Sequence, residues 1–220
     1  MYATAAAKPG LLRNPLFDDW NATPEPTEWT HQSKTASTYT RLRKTDPLTA
    51  ATRTVFGRIG MRRSDADYIY AGEDGFRNTM TAAAAANDWI VRQDAAAGAG
   101  LTVRPVQHAA VRIVSRCSVE NNLLNIQVIA LVTTTDTYYL APVGGTYFKG
   151  RTGFQWTATA TTIPLTMKND WQTWGLEIPG FPDDADSVAV RFANGSTGAQ
   201  AIDMGEVAMV ENISELGGAG

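Results

Sequence analysis

Side chains able to do chemistry are thinly spread along this sequence. Glycosidic bonds are cleaved by two carboxyl groups held about 5–10 Å apart, and the candidates for such a pair are Asp18, Asp19, Glu177, Asp183, Asp184 and Asp203. Its two members can come from distant parts of a chain, so this chemistry stays open. Asp183 and Asp184 stand in Pro-Asp-Asp-Ala-Asp, where short carboxylates cap the backbone of a turn. The two histidines, His31 and His108, each stand alone, without the second His or Cys that a zinc site requires. Cys117 is the single cysteine and alternates with apolar neighbours in IVSRCSV. That is the setting of a strand thiol, and one cysteine excludes an internal disulfide or a cysteine-based zinc cage. Asn194-Gly195-Ser196-Thr197-Gly198 looks like a nucleophile elbow but falls between two strands, where Asn and Gly serve the geometry of a turn. The tryptophans raise a different chemistry, since flat aromatic platforms stack on sugar rings. Trp156, Trp171 and Trp174 are the candidates. Trp171 and Trp174 are three apart, so on a strand they point to opposite faces, and anchoring a core is the competing role.

The elements that must position these groups are strands. Trp171–Ile178, Ser187–Phe192 and Ala201–Val210 alternate apolar with polar residues and are separated by PGFPDDAD and ANGSTG, both dense in turn formers. They read as three antiparallel strands closing a β-sandwich, with Val188, Val190 and Phe192 on the buried face and Ser187, Ala189 and Arg191 on the solvated one. Two long strands, about Ala109–Val119 and Leu123–Thr133, flank Glu120-Asn121-Asn122, which reads as a hairpin because Asn tolerates positive φ. Val111, Ile113, Ile126, Val128 and Ala130 would face the core, and Arg112, Arg116 and Gln127 outward. A second hairpin, about Pro142-Val143-Gly144-Gly145, is predicted to join Tyr138–Leu140 to Thr146–Phe148, and Phe154–Leu165 reads as one strand.

Upstream, Ser37–Arg43 and Thr54–Arg62 are strand-like. Arg58, Arg62 and Arg63 there make a solvated face or, alternatively, a basic groove. Residues 65–100 read as an irregular insertion suited to a contact loop, with a turn at Gly72–Gly75, one helical turn or a loop at Thr81–Asn87, and a strand at Trp89–Gln93.

The chain has 220 residues, 44% of them hydrophobic, which suits one large all-β domain with a buried core. Nineteen basic residues against 22 acidic ones, net −3, without a basic block, argue against nucleic acid. AAAAA at Ala82–Ala86 is too short and too weakly apolar to span a bilayer. MYATAAAKPG lacks the apolar centre of a signal peptide, so no Sec export is expected.

The front of the sandwich, Leu11-Leu12-Arg13-Asn14-Pro15-Leu16-Phe17-Asp18-Asp19-Trp20, and its back, Ala201-Ile202-Asp203-Met204-Gly205-Glu206-Val207, resemble the opening and closing phrases of jelly-roll modules of the carbohydrate-binding and galactose-binding-like type. Those modules often open LxxNxxFEDGxxxxW and end xxIDxVxL. Trp20 replaces the usual Gly after the acidic pair, and the middle of the chain does not match. The resemblance implies an all-β antiparallel β-sandwich, a jelly roll, here with an extended N-terminal arm. The expected division is an arm over 1–13, the jelly-roll domain over 14–212 and a flexible tail over 213–220. It also implies a structural calcium near Asp18 and Asp203 as one alternative, bound by hard oxygen ligands.

No catalytic, cofactor-binding or metal residue is assigned, and no cofactor is expected. A disulfide-free sandwich with arms and strand edges suits a non-enzymatic structural protein of a bacteriophage-type virion, a head decoration or a tail- or fibre-associated protein. It would contact other virion proteins and copies of itself as a homo-oligomer, assemble in the host cytoplasm, and meet neither nucleic acid nor membrane. The alternatives are a carbohydrate-binding module that recognises a surface glycan, marked by an exposed aromatic platform, and a jelly-roll glycan-active enzyme.

Overall fold

Apolar residues recurring with period two leave each strand one face that must be covered, and two sheets packed face to face cover one another. The structure is a computed structural model and describes residues 12, 14–17, 19–20, 26–31, 37–43, 74–81, 89–93, 109–133, 135–143 and 153–210. Its strands are β1 (Thr30–His31), β2 (Ser37–Arg43), β3 (Asp74–Met80), β4 (Trp89–Gln93), β5 (Ala109–Cys117), β6 (Leu123–Val132), β7 (Thr135–Pro142), β8 (Phe154–Thr157), β9 (Ile163–Thr166), β10 (Gln172–Ile178), β11 (Ser187–Asn194) and β12 (Gln200–Val210). The described residues contain no helix. One sheet has the order β1-β4-β11-β6-β7-β8, with β9 also pairing β6. The other has the order β10-β5-β12-β3-β2. Every pairing within them is antiparallel.

The last three strands form where the alternation predicted them, but in alternating sheets: β10 and β12 belong to the five-stranded sheet and β11 to the seven-stranded one. The hairpin expected at Glu120-Asn121-Asn122 is an arch instead. β5 is already paired on both sides, by β10 and β12, and β6 by β11 on one side and β7 and β9 on the other. Neither has an edge for the other. Asn121 does take the left-handed conformation (φ 62°), and the arch is clasped to Met167 by Asn121 N–H to Met167 O (2.8 Å) and Met167 N–H to Asn122 O (2.7 Å). Phe154–Leu165 is two strands rather than one. β8 pairs β7, and β9 crosses to the half of β6 that β7 leaves free, Leu123–Ile126.

Residues 65–100 are not merely an insertion. β3, which includes Gly75 where a turn was expected, lies between β12 and β2, and β4 lies between β1 and β11. Asp74–Met80 escapes a pattern reading because its inward positions are Phe76, Asn78 and Met80, with a polar residue in the middle. Thr54–Arg62, Arg63, Ala82–Asn87, His108, Thr146–Phe148 and the arm up to Leu11 fall outside the described residues, as does the tail.

Val188, Val190, Phe192, Val111, Ile113, Ile126, Val128 and Ala130 all lie in the main core, as their alternation required. The opposite faces are less solvated than expected. Ala189 packs with Ile129 and Leu131 in a second cluster, and Gln127 is buried, donating to Thr161 O and accepting from Arg191.

The described residues 14–17, 19–20 and 26–29 close one end of the sandwich. Asn14 Nδ2 donates to Asp19 O (2.8 Å) and Thr27 O (2.9 Å), and Trp29 Nε1 donates to Asn14 O (3.1 Å). This cage drives Phe17 into the core, where its ring centroid lies 5.2 Å from Trp29 and 5.0 Å from Phe76. From the same loop Pro15 O accepts the Val207 N–H (2.8 Å).

Candidate functional site

Cross-strand register places one row of charge across the outer face of the five-stranded sheet. Asp203 on β12 is opposite Arg77 on β3 and Arg116 on β5. Its Oδ1 accepts from Arg77 Nε at 2.7 Å, and its Oδ2 from Arg77 Nη2 at 2.9 Å and Arg116 Nε at 2.8 Å. The carboxylate is fully buried and Arg116 is 1% exposed. Arg77 forks onto both oxygens, the strongest geometry such a pair can adopt. The row ends on Trp171, whose ring lies 4.6 Å beneath the Arg116 guanidinium carbon, a desolvated cation–π contact. Arg116, expected to be solvated, is therefore among the most buried side chains.

A β-bulge builds the next row. The register of β12 shifts between Met204 and Glu206. Strict alternation from Asp203 would turn Glu206 inward; the extra residue sends it out, opposite Val114, and returns Val207 and Met209 to the core. Gly75 allows the close approach at this point, because a Cβ there would stand 2.5 Å from Met204 O. Pro15 pins the bulge through Val207, so the N-terminal loop positions Glu206. Its Oε1 lies 3.7 Å from Arg112 Nε, with the two side chains 11% and 26% exposed. Thr173, Gly175 and Glu177 of β10 and Thr38 and Thr40 of β2 are exposed at the margins of the face.

Burial pushes the Glu206 carboxyl above its ordinary range, with Arg112 pulling the other way. A raised carboxyl pKa means that the folded state binds the proton more tightly. Its contribution to stability is therefore full below the unfolded pKa and lost as pH rises through the folded one. Glu206→Gln is expected to be more stable than the parent at pH 7, with the difference shrinking toward pH 4.5; urea midpoints at the two pH values check this.

The three candidate platform tryptophans separate. Trp171 lies on the outer face, while Trp174 and Trp156 lie on the inner side and pack, half-buried, on the core. Trp156 is tilted on Phe181 at 5.5 Å and donates Nε1–H to Gly180 O (3.1 Å).

No family model matches the sequence, and no curated protein does. Among solved structures the chain is similar to a putative sugar binding protein from Bacteroides thetaiotaomicron, with a TM-score of 0.54 and 8% identity over 93% of this chain and all (100%) of that one. The likeness is one of fold, an all-β antiparallel jelly-roll sandwich. The chain is also similar to the enzymatically active domain of tailspike protein 4 of bacteriophage CBA120, with a TM-score of 0.50 and 10% identity over 91% of this chain but only 21% of that one. A CBM22 xylan-binding domain from Paenibacillus barcinonensis gives a TM-score of 0.49 at 10% identity, over 93% of this chain and 97% of that one.

The jelly roll distributes the sequence-derived carboxylates over different elements. Asp19 lies in the N-terminal loop and Glu177 on β10. Asp183 and Asp184 sit in an exposed turn closed by Ala185 N–H to Pro182 O (3.0 Å), where Asp184 accepts from Tyr138 Oη (3.1 Å). Asn194-Gly195-Ser196-Thr197-Gly198 is a turn, with Asn194 Oδ1 accepting from Ser196 N and Gly198 at φ 101°. His31 lies on β1. The calcium that the resemblance implied does not fit Asp203, because both its oxygens are taken by guanidinium groups; Asp18 lies outside the described residues. Among the described residues no three His, Cys, Asp or Glu side chains gather to hold a metal, and no helix is long and apolar enough to cross a membrane. Sequence reasoning missed Arg77, Arg112 and Glu206 as parts of a site. The one available signal was Arg112 and Arg116, four apart on a strand and so on one face.

Cys117 ends β5 fully buried, with Sγ 3.5 Å from Gln200 Oε1. Burial, with lesser help from the Asp203 charge, raises its pKa from 9.0 to about 11. Since the thiolate is the reactive form, iodoacetamide at pH 8 should alkylate the native thiol at least about a hundredfold more slowly than the urea-unfolded one, read by mass spectrometry.

Proposed function

We propose that the chain is a non-enzymatic carbohydrate-recognition module whose contact surface is the outer face of the five-stranded sheet. The observation that carries this is the Arg77–Asp203–Arg116 row ending on Trp171. As scaffolding a buried ion triad is poor value, since replacing one by apolar residues is often neutral or stabilising. On the outer sheet face it holds the part-exposed Arg77 guanidinium in a fixed direction. Arg77 and Arg112, partly exposed, can each donate to neighbouring ring hydroxyls, Glu206 can accept, and the small side chains of Thr173 and Gly175 leave room above β10. Similarity to the putative sugar binding protein supports the reading. A hydrolytic role is disfavoured at Asp203, whose two oxygens are both engaged by Arg77 and Arg116 and so turned away from any substrate. Screening the purified chain on an array of bacterial surface glycans tests the proposal. Binding to a defined set of saccharides that falls away in Arg112→Gln is expected, and no binding to any of them would overturn it.

The second reading places the module in a bacteriophage-type virion, as a structural or adsorption component that forms homo-oligomers through its arm. The likeness to the tailspike domain favours it. Light scattering on the full chain should then give a stable oligomer that dissociates when Met1–Gly10 are deleted; a monomer indifferent to the deletion would remove this reading.

A further inference from the structure

Gly175 stands in the middle of β10, where a glycine weakens a strand because it loses more backbone freedom than any other residue and packs nothing. Three other glycines have a reason inside the chain. A Cβ at Gly75 or Gly195 would run into Met204 O or Leu123, and Gly198 holds φ at 101°. Gly175 shows no such reason among the described residues. β10 pairs β5 residue for residue without a bulge, and a Cβ built at 175 meets no atom within 4 Å. The position is exposed on the outer face of the five-stranded sheet. Its cross-strand partner is Arg112, whose partner on the other side is Ala208. The guanidinium therefore rises between two residues too small to stand beside it. Thr173 and Glu177, two positions either way along β10, are exposed on the same face. The room over Gly175 is thus a shelf open to solvent, with Arg112 as its wall and Thr173 and Glu177 at its ends.

We propose that Gly175 sets the specificity of the sheet face: the shelf seats one neutral pyranose ring, with hydroxyls on Arg112 and Thr173, and rejects the matching uronic acid. The occupant lies on the face rather than at the edge. A strand added to β10 would lie in the plane of the sheet, whereas a side chain at 175 would stand out of that plane. Only a group resting on the face gains from its absence. The charge around the shelf decides the class of sugar. Glu206 already faces Arg112 at 3.7 Å, and Glu177 adds an exposed carboxylate, so a ligand carboxylate would meet like charge. The inference rests on the carbohydrate reading and adds to it the residue that selects the sugar.

The test titrates the full ¹⁵N-labelled chain with the methyl glycosides of glucose, galactose and mannose and of the three corresponding uronic acids, read by NMR at the backbone amides of Thr173 and Arg112. These amides should move to saturation with at least one neutral glycoside, and the matching uronide should bind at least about tenfold more weakly. Gly175→Val should keep or raise the urea midpoint, since a β-branched residue suits an exposed strand position. By filling the shelf it should weaken binding at least about tenfold. Unchanged affinity in Gly175→Val, or equal affinity for the uronide, overturns the inference. A lowered urea midpoint does so too, because the glycine would then serve the fold. Amides that move with none of the six also overturn it. Array saccharides whose binding is lost in Arg112→Gln would in that case keep the sheet face without this shelf, and an empty array would remove both. A parent chain that self-associates in light scattering where Gly175→Val does not, with no glycoside bound, would overturn it in favour of a second copy of the chain.

Discussion

Asp203→Ala is expected to lower the free energy of unfolding by about 3–5 kcal/mol, the cost of stripping the partner from a buried charge. Arg116 is 1% exposed and keeps its charge at any accessible pH, so it cannot escape by deprotonating. Stacking on Trp171 offsets only part of that cost. Arg77, with a side chain 20% exposed, can turn toward water and contributes less of the loss. The mechanism predicts a recovery as well: Arg116→Met added to Asp203→Ala should restore much of the lost stability, because the buried guanidinium is then removed along with its carboxylate. Urea unfolding of the two variants measures both effects, with a shifted midpoint and an unchanged slope expected. A single-mutant loss under about 1 kcal/mol would mean that the triad is solvated, contrary to its geometry.

Phe17→Ala should cost about 3–5 kcal/mol by opening a cavity in the main core. Phe17 holds φ at 55°, a conformation that a bulky side chain adopts only when its surroundings over-determine it. The surroundings here are the Asn14 hydrogen bonds and the rings of Trp29 and Phe76. The effect should reach the site, since the loop that carries Phe17 also holds the β12 bulge through Pro15 and Val207. The Val207 amide, which donates to Pro15 O, is accordingly expected to exchange its hydrogen faster in Phe17→Ala than the amides of β6, a central strand of the other sheet. Equal protection of the two strands would separate the loop from the bulge.

The strands were legible in the sequence where one face is apolar and the turns are rich in Gly, Pro, Asn or Asp. Ser37–Arg43 and Trp89–Gln93 form as read, and the last three strands do so to within two residues. Pairing was less legible. An Asn-Asn turn looks the same whether the chain doubles back in one sheet or arches to the other, and the choice at Asn121 is made by strands far away that have already occupied the edges of β5 and β6. The charged row was least legible of all. Asp203 meets Arg116 and Arg77 across 87 and 126 positions of chain, and no periodicity reports a register between strands so distant. A bulge compounds this, because one residue of slip decides whether Glu206 lies on the outer sheet face or in the core. The closing phrase around Ile202-Asp203 marked the right strand, but it suggested a calcium ligand where the structure has an arginine clamp.

The most direct test of the account is titration calorimetry of the strongest saccharide from the glycan array against the parent chain and Arg112→Gln, with matched urea midpoints showing that both are folded. A sheet face that recognises sugar through fixed guanidinium donors predicts an affinity at least about tenfold lower in the variant, the loss of a hydrogen bond from a charged donor. Equal affinities in the two proteins would contradict it and place recognition elsewhere on the jelly roll.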